Sequence, residues 1–70
     1  MKITEINQAL TTDQRVEIAN QIAIRGKVGM TSVYRWLNGE AKPLHLYREL
    51  IQKIIEDVTG KKLQSDINWN

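Results

Sequence analysis

The segment TSVYRWLNGE, residues 31–40, predicts a short helix with a defined start and a defined end. Thr31 or Ser32 can cap its N-terminus, because a side-chain hydroxyl accepts a hydrogen bond from a backbone N–H of the first turn. Gly39 suits the left-handed conformation that ends many helices, and Pro43 lies just beyond it and prevents the helix from continuing. The sequence therefore predicts a helix of about two turns inside this segment.

This predicted helix has two unlike sides. Val33, Trp36 and Leu37 fall on one side at helical spacing, so we expect them in the core. A helix of this length is not stable alone in water and must pack through that apolar side. The remaining side presents a hydroxyl, a phenol, a guanidinium and an amide, a set that can hydrogen-bond to nucleic acid. These groups belong to Ser32, Tyr34, Arg35 and Asn38.

Two further helices are predicted before this segment. Ile3, Ile6 and Leu10 repeat at a spacing of three and four residues, which indicates a short first helix. A second helix is expected over about residues 13–25, because Thr11-Thr12-Asp13 supplies capping side chains before it. Two glycines then interrupt the helical pattern. The expected apolar face of the second helix consists of Val16, Ala19, Ile22 and Ala23, with Ile18 and Ile24 beside it.

The strongest helical period follows the segment, over residues 44–59, and Gly60 supplies a C-terminal cap. The tail, residues 61–70, is polar apart from three side chains. Ile67 and Trp69 alternate there, so a short strand is possible, and they can fold back on the core or pack on a partner chain. The apolar stripe of the last helix consists of Tyr47, Leu50, Ile51, Ile54, Ile55 and Val58.

The composition limits the function classes. The chain has 70 residues, no cysteine and one histidine, so disulfides and thiolate metal sites are excluded. His45 stands in no catalytic motif, and no glycine-rich phosphate loop occurs. We therefore expect no enzymatic activity, no cofactor, no metal and no small-molecule ligand. No apolar run is long enough for a membrane span and no signal peptide precedes the domain, so we expect a cytoplasmic protein.

Positive charge is concentrated around the central segment. The formal net charge is only +2, but residues 25–42 hold four basic side chains against Glu40 alone. A solvated loop can show such a cluster by chance. Its position around a polar-faced helix favours phosphate contacts, which supply most of the non-specific affinity for DNA. The four basic side chains are Arg25, Lys27, Arg35 and Lys42.

The chain resembles the phage Cro and lambda-repressor type of helix-turn-helix family, also called the xenobiotic-response-element type. The resemblance covers about residues 13–58 and is carried by the segment SVYRWLNGE with Pro43, and by Ala23 ten residues before Val33. It implies an all-α fold of four to five helices, with a DNA-binding domain over residues 1–60 and a tail over 61–70. The family's turn glycine would fall at Lys27, so we expect a displaced or longer turn.

The resemblance also implies a function and a set of site residues. It implies a sequence-specific protein for double-stranded DNA, a small phage- or prophage-type transcriptional regulator or repressor that binds as a homodimer. Arg35 is the candidate for a base contact with guanine, or it pairs only with a phosphate. Tyr34 touches a phosphate or a thymine methyl, or it is a ring at the edge of the core. The implied DNA-binding residues are Lys27, Thr31, Ser32, Tyr34, Arg35, Asn38 and Lys42.

Three of these residues have ordinary alternatives. Asn38 can contact a phosphate, serve as a helix C-cap, or do both. Lys27 and Lys42 are expected phosphate contacts, although any exposed lysine would look the same. Two other functions remain open at this point: a protein-interaction module on the same scaffold, and the DNA-targeting part of a recombination or excision factor. The direction of the basic side chains in space would separate the interaction module from a DNA-binding protein.

Overall fold

The computed structural model describes residues 1–69, which form an all-α fold of four helices. The helices are α1 (Ile3–Ala9), α2 (Thr12–Gly26), α3 (Met30–Leu37) and α4 (His45–Thr59). Helix α2 packs against both α3 and α4, and α1 packs against α3. The expectation of a small all-α bundle is therefore confirmed. No helix in this part of the chain is long and apolar enough to cross a membrane.

Every helix and the tail contribute to one hydrophobic core. Within residues 1–69 no polar or charged side chain is buried, so burial of apolar surface is what holds the helices together. The rings of Trp36 and Tyr47 lie 5.4 Å apart between centroids and join α3 to α4. The core residues are Ile3, Ile6, Leu10, Ile18, Ala19, Ile22, Val33, Trp36, Leu37, Ile51, Ile54, Ile55, Ile67 and Trp69.

The start of α2 follows the prediction, but its buried face does not. Thr11 caps the helix: its hydroxyl accepts from the Gln14 backbone N–H at 3.1 Å, and the Gln14 side chain accepts from the Thr11 N–H at 3.0 Å. Val16, expected on the buried face, is 45% exposed. The face is rotated toward Ile18 because α3 and α4 cover that side of α2 and leave Val16 beyond the contact.

The turn between α2 and α3 was predicted wrongly in one respect. Lys27 itself takes the left-handed conformation, with φ 55°, and its N–H donates to the Ala23 carbonyl. The Val28 N–H donates to the same carbonyl at 3.1 Å. The turn is therefore neither displaced onto a neighbouring glycine nor lengthened. A left-handed lysine costs about 1–2 kcal/mol, which the packing of α3 on α2 offsets.

The ends of α3 give one correction and one confirmation. The helix begins at Met30 with Gly29 as its N-cap and no side-chain cap, so Thr31 and Ser32 do not cap it. Gly29 lies two residues before Thr31 and three before Ser32, so the helix begins earlier than either hydroxyl cap would place it. Gly39, with φ 77°, closes the helix as predicted.

Two hydrogen bonds form the closing turn of α3. The Gly39 N–H donates to the Trp36 carbonyl at 3.1 Å, and the Glu40 N–H donates to the Arg35 carbonyl at 2.8 Å. These two hydrogen bonds together define a Schellman turn. A Cβ at position 39 would lie 2.8 Å from the Thr4 methyl, so the end of α3 sits directly against α1.

Helix α4 and the tail complete the core. The helix ends at Thr59, and Gly60 follows with φ 71°, as the sequence predicts. Ile67 and Trp69 are 7% and 6% exposed, so they fold back on the core and are not available to a partner chain. The possible strand is reduced to one parallel bridge between Lys2 and Asn68. The last residue of the predicted tail, Asn70, lies outside the described residues.

Candidate nucleic-acid interface

The outward side of α3 carries a row of three polar side chains. Thr31, Arg35 and Asn38 are spaced by four and then three residues, which aligns them along one side of a helix. All three are exposed. Ser32 and Tyr34 are also exposed and flank the row on its two sides. The structure thus brings together five of the seven sequence-predicted site residues.

The orientation of this row is fixed by the opposite side of α3. Val33 is 0% exposed and Leu37 is 1% exposed, and both belong to the core. Trp36 stacks on Tyr47 of α4 with an interplanar angle of 31°. Rotation of α3 about its axis would expose these three side chains to water, at a cost of several kcal/mol. The packing therefore holds α3 in one orientation, with the row on its outward side.

Arg35 is the strongest hydrogen-bond donor of the row. Its side chain is exposed and has no hydrogen-bond partner within residues 1–69. The guanidinium therefore keeps its five N–H donors, in a planar arrangement that matches two acceptors at once. Such a group can bind a guanine edge or a phosphate.

Tyr34 lies at the surface beside the row. Its side chain is 38% exposed, so most of its surface is covered. This exposure is compatible with both predicted roles, a contact to DNA and a ring at the edge of the core. The phenol is available for a phosphate or for an apolar base edge.

Asn38 has two roles at the end of α3. It is the C-cap residue, with φ −83°, which confirms the simpler of its two predicted roles. Its side-chain Oδ1 accepts a hydrogen bond from Asn7 Nδ2 of α1 at 3.2 Å. The acceptor oxygen is thereby engaged, and the Nδ2 donors of Asn38 remain for a ligand.

The two lysines stand at opposite ends of α3. Lys27 precedes its N-terminus in the turn, and Lys42 follows its C-terminus in the loop that leads to Pro43. Both are exposed, and neither side chain has a hydrogen-bond partner in the described part of the chain. In the chain they place a positive charge on each side of α3.

Two residues beside this row were not predicted from the sequence. Arg15 of α2 donates its Nε–H to the Asn7 carbonyl at 2.9 Å, and Asn7 in turn holds Asn38. The contact between Asn7 and Asn38 joins side chains that are 31 positions apart. No local sequence pattern predicts such a contact, because it forms only when α1 packs on the end of α3.

The outward face of α4 has a different character. It lines an open depression of about 610 Å³ together with the tail, and its charged side chains are of both signs. Three carboxylates, Glu49, Glu56 and Asp57, stand there beside Lys53. Across residues 1–69 no group of histidine, cysteine and acidic side chains could hold a metal ion.

Three comparisons with known proteins return no relative. No family model matches the chain, no curated protein matches it, and no solved structure matches it.

Proposed function

We propose that this chain is a sequence-specific protein for double-stranded DNA that reads the major groove with α3. It would act as a small transcriptional regulator of phage or prophage type in the cytoplasm, without enzymatic activity. The observation that carries the proposal is the exposed row of Thr31, Arg35 and Asn38 on a helix whose opposite side is locked in the core.

The dimensions of α3 suit the groove. An α-helix with its side chains is about 10–12 Å across, so α3 can enter the major groove, which is about 12 Å wide and 8.5 Å deep. Arg35 would pair with the O6 and N7 acceptors of a guanine. Thr31 and Ser32 lie in the first turn, the part of such a helix that usually reaches base edges.

The flanking groups would hold the backbone of the DNA. Lys27 and Lys42 extend the positive charge past both ends of α3, and Asn38 offers its amide donors at the C-terminal end. Contacts of this kind fix the position of the protein on the duplex, while the base contacts select the sequence. Binding should therefore weaken steeply as the salt concentration rises.

The protein would bind as a homodimer, because one helix reads few base pairs and two half-sites about 34 Å apart multiply affinity and specificity. Ile67 and Trp69 of the tail are buried within the chain, so we do not place the dimer contact on them. Leu44 and Leu46, at the start of α4, are 71% and 79% exposed and are the candidates in the last helix. Sedimentation velocity at several protein concentrations tests this part of the proposal.

A second candidate function is a protein-interaction module on the same scaffold. The exposed side chains of Leu44, Leu46 and Ile24 are the observation in its favour, and a binding surface would require them to form one contiguous apolar patch. The two functions differ in what α3 does. An interaction module that uses these apolar side chains would not require Arg35.

Selection of bound sequences from a random pool of duplex DNA tests the proposal. We expect a palindromic consensus, followed by salt-dependent binding of the selected duplex in a fluorescence anisotropy titration. Arg35→Gln should relax the preference at the one base that Arg35 reads, whereas Lys53→Gln on the outward face of α4 should preserve the full consensus. If no duplex is enriched and no salt-dependent binding occurs, the proposal fails.

A further inference from the structure

We infer that the groove between α1, α2 and the end of α3 is a phosphate-binding subsite, in which Arg15 contacts a phosphate of the DNA backbone and Asn7 is the positioning residue. The inference rests on the proposed function, since it adds residues to the same interface. Neither residue belongs to α3, so the subsite would extend the interface onto two further helices.

Arg15 is held in place by a single hydrogen bond that leaves most of its donors unused. Its half-buried side chain donates Nε–H to the Asn7 carbonyl at 2.9 Å. The two Nη groups carry four further N–H donors and have no partner within residues 1–69. A guanidinium fixed by its Nε loses little further freedom when it binds an anion.

Asn7 connects this arginine to the row on α3. Its backbone carbonyl binds Arg15, and its side-chain amide donates to Asn38 Oδ1 at 3.2 Å. This second bond fixes the orientation of the Asn38 amide, so that the nitrogen and not the oxygen is free for a ligand. Asn7 therefore orients two donor groups, the guanidinium of Arg15 and the amide of Asn38. Phosphate oxygens only accept hydrogen bonds, so a phosphate suits both donors.

The groove lies next to the outward row of α3, and its only charged side chain is the positively charged Arg15. It has a volume of about 220 Å³, and no acidic side chain lines it. Asn38 belongs both to the groove and to the outward row of α3, so the two surfaces are continuous. Asn38 is three residues beyond Arg35, about 4.5 Å along the helix axis. The lining residues are Thr4, Asn7, Gln8, Arg15, Leu37 and Asn38.

The salt dependence of DNA binding by Arg15→Gln tests the inference. Each phosphate neutralised contributes about 0.9 to the slope of log K against log salt concentration, so the slope should fall by about 1. The loss should be equal for the selected duplex and for unrelated duplexes, because a phosphate carries no sequence. Arg48→Gln is the matched control: Arg48 is also half-buried and donates its Nε–H to a carbonyl, that of Pro43, at 3.1 Å. Its slope should equal that of the wild type.

A second variant covers the case in which Arg15→Gln does not fold. Gln8→Glu places a carboxylate in the groove without removing a hydrogen bond, because the exposed Gln8 side chain has none within the described residues. It should weaken DNA binding several-fold at low salt, whereas Asn20→Asp, an equal charge change on the exposed side of α2, should weaken it much less.

The outcomes separate this inference from the proposed function. If wild-type protein binds DNA but Arg15→Gln folds and keeps the wild-type slope, the subsite is wrong and the proposed function stands. Where Arg15→Gln does not fold, equal effects of Gln8→Glu and Asn20→Asp overturn the subsite in the same way. If the wild type binds no DNA, both fail together.

Discussion

Helices α3 and α4 are both held by an apolar side, but their outward sides differ in kind. The outward side of α4 mixes carboxylates with Lys53, as a helix that faces only water does. The outward side of α3, from Thr31 to Asn38, has no carboxylate and presents mainly hydrogen-bond donors around Arg35. Helix α4 has 15 residues and α3 has eight, so α3 depends more on its packing. Helix α4 thus serves mainly to form the core, whereas α3 is held by the core so that its polar side faces outward.

The largest expected effect is on the packing of α3. Trp36→Ala should lower the free energy of unfolding by about 3–5 kcal/mol, because the indole fills the contact between α3 and α4. Such a loss consumes most of the stability of a domain this small. Urea unfolding followed by circular dichroism measures it. Tyr34→Ala, on the outward side of the same helix, should change the value far less; a similar loss for both would contradict the two-sided description.

The next effect concerns the end of α3. Gly39→Ala should cost more than about 2 kcal/mol, because alanine is strained at φ 77° and its Cβ would lie 2.8 Å from the Thr4 methyl. Gly60→Ala, at the end of α4, should cost only about 1–2 kcal/mol, since φ is 71° but no atom lies within 4 Å.

The double variant Thr4→Ser with Gly39→Ala checks the cause of that difference. Serine lacks the methyl group that the new Cβ would meet, so it should recover part of the stability lost in Gly39→Ala. Equal thermal unfolding midpoints for Gly39→Ala and Gly60→Ala would show that α1 does not press on the end of α3.

A smaller effect is expected in DNA binding by the outward side. Arg35→Ala should weaken binding to the selected duplex by about 1–3 kcal/mol and relax the base preference at one position. The free energy of unfolding should stay within about 0.5 kcal/mol of the wild type, because the side chain has no partner within residues 1–69. Anisotropy titrations on duplexes with single base changes measure the preference. An equal loss on every sequence would assign Arg35 to a phosphate instead.

The smallest effects distinguish the two helix starts. Thr11→Ala should lower the free energy of unfolding by about 1 kcal/mol, because Thr11 caps α2. Thr31→Ala and Ser32→Ala should each change it by less than about 0.5 kcal/mol, because neither hydroxyl caps α3. A loss of about 1 kcal/mol in either α3 variant would restore the sequence-based prediction of the cap.

Local features of the fold were predicted correctly from the sequence, because the residue pattern that indicates them lies within one or two helical turns. The apolar period of α4 and the split between Trp36 and Arg35 on α3 are of this kind. The Gly39 end was also predictable, since the left-handed conformation favours glycine. The sequence did not reveal that Lys27 takes the same conformation, because the packing of two helices imposes it against local preference.

The remainder of the candidate site depends on distant contacts. The buried side of α2 is decided by which helices cover it, so Val16 looked buried in the pattern but is 45% exposed. Arg15 and Asn7 stand in no motif, and they join the site only because α1 lies against the end of α3. The polar row on α3 was predicted, whereas the groove beside it required the structure.

The central claim is that α3, and not α4, is the surface that binds DNA. Backbone amide chemical shifts, measured by NMR as the selected duplex is added, test it most directly. The account predicts large shift changes at Thr31, Arg35 and Asn38, with Arg15 among the affected residues, and small changes at Lys53 and Asp57. Changes centred on the outward face of α4, with α3 unaffected, would contradict it.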